Sequence, residues 1–168
     1  MCGIVGIIHG DRDRMVDEHL LRSMTDVMQY RGPDDGGIWL GEGVGLGHRR
    51  LSVIDLAGGH QPMTTGDSGQ WITYNGEIYN YLELREELES DGFLSRTDSD
   101  TEVLLNMYRR DGNACLSQLN GMFAFALWDR RERRLFAARD RLGIKPFYYA
   151  SVDGMLLFAS EIKALLLH

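Results

Sequence analysis

The chain is predicted to adopt an α+β fold, on three observations. Short stretches rich in Ile, Val and aromatic residues come in neighbouring groups, not singly. The segments between those groups carry apolar residues at helical spacing. No internal repeat or low-complexity run interrupts the pattern. Strands gathered in groups, with helices between the groups, define α+β rather than a regular alternation of strand and helix.

Each element has its own justification. The run from Gly3 to His9 is dominated by Ile and Val, as in a buried strand. Leu20, Leu21, Met24, Val27 and Met28 recur at helical spacing and predict an amphipathic helix over Val16–Gln29. The Gly- and Pro-rich stretch from Arg31 to Gly37 suits neither helix nor strand and is expected to be a loop. Gly37–Leu40, Val44–Arg49 and Trp71–Asn75 read as strands, with a polar, Gly-rich loop, Ala57–Gly69, between the last two. Tyr81, Leu84 and Leu88 share one face of a helix over Tyr81–Ser90. Ser99 and Glu102 have capping-box spacing, which starts a further helix near Ser99. Phe123–Trp128, Leu135–Ala138, Pro146–Ala150 and Met155–Ala159 are expected to form antiparallel hairpins, with Arg130–Arg134 as a solvated turn. Ser160–Leu167 reads as the start of another helix.

Composition narrows the function classes. The 168 residues suit one domain with a sizeable core. A net charge of −7 without a basic stripe argues against a nucleic-acid partner. Two cysteines make no disulfide framework, so a reducing, cytoplasmic location is expected, with Cys115 a buried structural thiol. The five histidines show no ligand spacing, and no metal site is expected. No run approaches the ~18 apolar residues of a membrane helix, and the N-terminal run lacks the basic region of a signal peptide. No membrane partner is expected.

The chemistry begins at Cys2. If the initiator Met is removed, this thiol shares a carbon with a free α-amino group. A thiolate is the attacking form, and an amine with a pKa of about 7.7–8.0 suits a base at neutral pH. A small residue at position 2 also simply permits Met removal, so the rest of the chain decides. In His48-Arg49-Arg50-Leu51-Ser52, an Arg at a strand end can hold a carboxylate through parallel hydrogen bonds, or serve a surface salt bridge. Asn75-Gly76 marks a tight turn; as chemistry, the Asn75 amide and the Gly76 N–H make two donors for an oxyanion. Helix capping explains one acid in Thr97–Glu102 but not Asp98 and Asp100 both, which leaves one to accept from an ammonium. The charged turn Arg139–Pro146 has no functional reading from composition. A thiol, an Arg, an oxyanion pair and an Asp together suit an α-amino acid with a side-chain amide, glutamine being the obvious candidate.

These motifs run in order from Met-Cys-Gly-Ile through Arg31-Gly32-Pro33-Asp34, His48–Asp55, Gln61-Pro62-Met63 and Tyr74–Asn80. Ser99–Val103, Gly121–Ala126, Arg139–Pro146 and Ser160–Leu165 complete the set. The chain resembles the N-terminal glutaminase domain of glutamine-dependent asparagine synthetases, a branch of the class II, N-terminal nucleophile amidotransferases. Related branches share the opening Met-Cys-Gly-Ile but differ at Arg-Gly-Pro-Asp, Arg-Leu-Ser and Asn-Gly-Glu-Ile-Tyr-Asn.

The resemblance implies a four-layer αββα sandwich, with two antiparallel sheets between helical layers. It implies Cys2 as the nucleophile that forms a glutamyl thioester, and Asn75 with Gly76 as the oxyanion hole. Arg50 would hold the glutamine α-carboxylate, with Leu51, Ser52, Val53 and Ile54 lining the pocket. Asp100 would bind the α-ammonium, assisted by Glu77. It implies no cofactor in this domain. ATP and Mg2+ belong to a second, synthetase domain, which carries a Ser-Gly-Gly-x-Asp-Ser loop that does not occur here and amidates aspartate. Residues 1–168 are expected to be the glutaminase domain alone, with L-glutamine and that synthetase domain as partners; a homodimer is compatible with the resemblance. Two rival readings are an amidotransferase for another carboxylate acceptor, and a non-catalytic glutamine-binding module.

Overall fold

The computed structural model describes residues 1–11, 13–55, 58–66 and 69–168. Five strands form one antiparallel sheet: β1 (Gly3–His9), β2 (Asp35–Gly41), β3 (Val44–Arg50), β7 (Tyr148–Val152) and β8 (Met155–Ala159), in the order β2-β3-β1-β8-β7. A second antiparallel sheet takes β4 (Gln70–Ile78), β5 (Gly121–Asp129) and β6 (Arg134–Arg139) in that order. Helices α1 (Glu18–Asp26) and α4 (Ile162–Leu165) cover the first sheet; α2 (Tyr81–Ser90) and α3 (Asp100–Asp111) cover the second. The layers are therefore α, β, β and α.

Strand alternation explains how one run feeds two cores. Side chains along a strand point alternately to opposite faces. In β1, Val5 and Ile7 pack toward α1, whereas Ile4 joins Val44, Leu46, Ala124 and Phe158 between the sheets. A strand covered on both faces needs apolar residues throughout, which is why Gly3–His9 shows no alternation. In β4, Ile72, Tyr74 and Ile78 face the helical core, and Trp71 stacks on Trp39 between the sheets at 4.8 Å.

The structure revises several expectations. The strand expected from Gly37 starts earlier, at Asp35, so Gly36 also belongs to β2 and not to a loop: Gly36 and Gly37 pair with Arg49 and His48. A Cβ on Gly36 would lie 2.8 Å from the Arg49 guanidinium, and one on Gly37 2.5 Å from the Gln61 carbonyl, so glycine here serves close approach and not a turn. Helix α1 is shorter than its apolar pattern. Asp17 caps it by accepting from His19 N at 2.8 Å, and beyond Asp26 the chain tightens into i→i−3 turns up to Gly32. The Ser99–Glu102 capping box does not close. Ser99 accepts from Thr101 N, but Glu102 accepts from the N–H groups of Arg96 and Thr97. The final helix is a single turn. Of the loop expected over Ala57–Gly69, Ala57, Asp67 and Ser68 lie outside the described residues. The Arg130–Arg134 turn joins β5 to β6, and Cys115 is fully buried. Among the described residues no helix is long and apolar enough to cross a membrane.

Candidate active site

The alternation that fills the space between the sheets also populates one end of it. Cys2 continues the Ile4 side of β1, Arg50 the Val44–Leu46 side of β3, and Asn75 with Glu77 the Trp71 side of β4. At this end the apolar residues give way to a cavity of about 220 Å³, and all four residues line it. The Cys2 sulfur accepts from Leu51 N at 3.4 Å and lies 3.7 Å from Leu51 O. Met1 lines the same cavity. With Met1 attached, the Cys2 nitrogen is an amide and not an amine.

Arg50 is buried, and its Nη2 donates to the carbonyls of Ile54, at 2.9 Å, and Asp55. The guanidinium thereby curls the following loop around itself. A Cβ on Gly59 would stand 2.1 Å from that nitrogen, so a side chain there would displace the guanidinium. Leu51, Val53 and Ile54 line the cavity. Ser52 is not among the lining residues; its backbone N–H donates to Asp34 Oδ2 at 2.8 Å, which fixes the loop.

Asn75-Gly76 is not a turn. Both residues lie inside β4, paired with Ala124 and Phe123 of β5. A Cβ on Gly76 would come within 2.5 Å of the Met122 carbonyl. Asn75 is 1% exposed, and its Nδ2 has no hydrogen-bond partner. Buried polar groups are normally satisfied, so an unused amide donor on a cavity-lining residue points to a ligand acceptor.

Asp100 begins α3, and its Oδ2 accepts from the Tyr74 hydroxyl at 2.7 Å and from Ile78 N at 3.1 Å. Burial raises its pKa above the ordinary carboxylate value, outweighing these donors. Asp98, the other candidate, is exposed and pairs with Arg85 at 2.9 Å. Burial likewise raises the Cys2 thiol, against the pull of the Leu51 N–H, the N-terminal amine, Arg50 and Lys145. His48 is fully buried against Thr73 Oγ1 at 3.2 Å, and burial pushes it down to about 3, which makes it a poor proton acceptor.

Three residues near the site lie in motifs of the resemblance, which gives them no role. Arg31 donates through Nε to Cys2 O at 2.9 Å and pairs with Glu161 at 2.9 Å, tying the N-terminal segment to the end of β8. Gln61 accepts from Tyr74 N at 2.7 Å and donates to Thr101 Oγ1 at 3.3 Å, joining β4 to α3. Lys145, from the charged turn after β6, is buried in the cavity wall. Arg31 lies in the Arg-Gly-Pro-Asp motif, Gln61 in Gln-Pro-Met and Lys145 in the run Arg139–Pro146. No cluster of three or more His, Cys, Asp or Glu residues among those described is placed to hold a metal ion.

Two antiparallel sheets between helical layers, with a cysteine leading into a central strand, define an N-terminal nucleophile hydrolase type of fold. A glutamine phosphoribosylpyrophosphate amidotransferase of Bacillus subtilis superposes with a TM-score of 0.79 at 23% identity, over 99% of this chain and 43% of that one. The chain belongs to the glutamine amidotransferase domain family, which it matches over residues 1–168. It is 48% identical over 168 residues to asparagine synthetase [glutamine-hydrolyzing] 1 of Bacillus subtilis, covering 99% of this chain and 27% of that protein. Asparagine synthetase [glutamine-hydrolyzing] 2 of Arabidopsis thaliana is 40% identical over 166 residues, covering 98% of this chain and 28% of that protein. The chain thus spans little more than a quarter of the length of these relatives.

Proposed function

We propose that this domain hydrolyses L-glutamine to glutamate and ammonia through a thioester on Cys2. The observation that carries this reading is the unused Asn75 Nδ2, buried in the same cavity as the Cys2 sulfur. Removal of Met1 frees the Cys2 amine, which takes the thiol proton. The sulfur bonds to the carboxamide carbon, and charge moves onto the oxygen. Asn75 Nδ2 and the Gly76 N–H receive that charge; a preorganised donor of this kind is worth about 2.7–4 kcal/mol at the transition state. Collapse breaks the C–N bond, and the amine returns its proton to the departing ammonia. Water, deprotonated by the same amine, then cleaves the thioester and releases glutamate. Arg50 binds the α-carboxylate, with Leu51, Val53 and Ile54 around it. Asp100 binds the α-ammonium, assisted by Glu77. Ser52 acts through the loop that it anchors.

The names of the relatives, glutamine-hydrolysing asparagine synthetases, support a wider reading in which the ammonia serves asparagine formation in a longer protein. The remaining parts of that reading come from the motif resemblance alone. The ammonia passes to a synthetase domain that uses ATP and Mg2+ to amidate aspartate, in the cytoplasm, within a protein able to dimerise. Those groups would bind outside residues 1–168.

Glutamate release, measured on protein shown by intact mass to lack Met1, tests the reading beside Cys2→Ala. Release that falls by more than a thousandfold in the variant is expected. Residual turnover within tenfold of the parent overturns it.

A further inference from the structure

The turn after β6 delivers a cation to this cavity. Lys145 lines the wall together with Cys2, Asn75 and Arg50, yet it is only 7% exposed. Among the described residues no carboxylate forms an ion pair with it. Withdrawing an ammonium from water without a direct ion pair is costly, and the turn that carries it is held by several hydrogen bonds.

Asp140 does the holding. Its Oδ2 accepts from Lys145 N at 3.0 Å and Phe123 N at 3.2 Å, and its Oδ1 accepts from Ile144 N at 2.8 Å. Its own N–H donates to Phe123 O at 2.8 Å. Gly143 supplies the left-handed conformation the turn requires, at φ +66°, and Arg139 donates to the carbonyls of Gly143 and Lys145. Phe123 is the β5 partner of Gly76. The turn is therefore fastened to the strand pair that carries Asn75 and Gly76.

We propose that Lys145 is an electrostatic positioning residue whose ammonium favours the thiolate form of Cys2, an assignment that rests on Cys2 being the nucleophile. The ionisable groups around the cavity are Arg50 from β3, Tyr74 and Glu77 from β4, Asp100 from α3, the N-terminal amine and Lys145. Burial favours the neutral thiol, and Glu77 and Asp100 add negative charge to the same space. Of the two side-chain cations, Arg50 is bonded to the carbonyls of Ile54 and Asp55 and is assigned to the substrate carboxylate. Lys145 carries neither commitment. Its charge lowers the thiol pKa against burial, and the thiolate is the species that attacks.

The test needs no glutamine. Protein lacking Met1 is alkylated with iodoacetamide across a pH series, and adduct at Cys2 is followed by mass. Cys115, fully buried and with its thiol pushed up to about 11, serves as the unreactive reference. In Lys145→Met the inflection should rise by a few tenths of a pH unit, leaving about twofold to threefold less thiolate at neutral pH. Lys145→Arg should track the parent. Lys145→Gln repeats the neutral substitution with a polar head, should the Met variant fail to fold. An unmoved inflection in a folded neutral variant overturns the assignment, and a raised KM beside it would make Lys145 a glutamine ligand instead. A Lys145-dependent inflection in protein that releases no glutamate overturns the glutaminase reading alone.

Discussion

The helix start that carries Asp100 and the turn that carries Asp140 flank the same cavity, and their surroundings treat the two acids oppositely. Both side chains expose little surface, but Asp100 lies much deeper in the protein than Asp140. Burial raises Asp100 on balance. Burial also opposes the charge on Asp140, but the N–H groups of Lys145, Ile144 and Phe123 outweigh it and hold that carboxyl below its ordinary value. The difference lies first in depth, since Asp100 is desolvated far more strongly than Asp140, and second in what donates. Asp140 has its charge absorbed by the backbone it organises. Asp100 receives one hydroxyl and the N–H groups of Ile78 on β4 and of Thr101, and it faces a cavity shared with Glu77. A carboxylate left electrostatically unsatisfied suits a cationic ligand, and one saturated by backbone donors builds structure.

The sharpest test of that contrast is Asp140→Ala. It strands three backbone N–H groups and should cost about 3 kcal/mol, lowering Tm by roughly 6–12 °C in a chain of this size. Calorimetry would read this, and an unchanged Tm would break the comparison. Asp100→Asn should do the reverse. Stability should change by less than about 1 kcal/mol, while KM for glutamine rises about tenfold to a hundredfold with the loss of a charged contact worth about 1.5–3 kcal/mol. A KM within twofold of the parent would strip Asp100 of its ligand role. Tyr74→Phe should be milder, with KM up about threefold to tenfold as Asp100 loses one donor.

The smallest effect is on the pH dependence of stability. Asp140, with its pKa lowered, adds stability above its unfolded value that is lost as pH falls through the folded one. Asp100, with its pKa raised, adds stability below its unfolded value that is lost as pH rises through the folded one. Urea melts over acidic pH should therefore show Asp140→Asn flattening the fall toward acid and Asp100→Asn flattening the loss on the way up. Identical profiles for the two variants would remove the distinction.

Much of this was legible in the residues. Helix α2 runs over Tyr81–Ser90, as its Tyr81, Leu84 and Leu88 face indicates, and the hairpins after Gly121 fall where apolar runs meet turn residues. Periodicity reports burial against a core, which both features have. It fails where glycine serves close packing: Gly36-Gly37 and Asn75-Gly76 look like turns but lie in strands, because pairing with β3 and β5 overrides local preference. The motifs gave a role to every chemical type in the candidate site except Lys145, which lies in Arg139–Pro146 with no role attached. Its position depends on Asp140 bonding back to Phe123, a contact between segments that no local pattern encodes.

Met1 is also part of the cavity wall. Its excision therefore changes two things in one cut: it bares the amine and widens the chamber. On the proposed mechanism, the chain that keeps Met1 lacks its base and has a partly filled cavity. Arg31 already grips the Cys2 carbonyl and β1 is already paired on both sides, so maturation needs no refolding to set the new terminus in place.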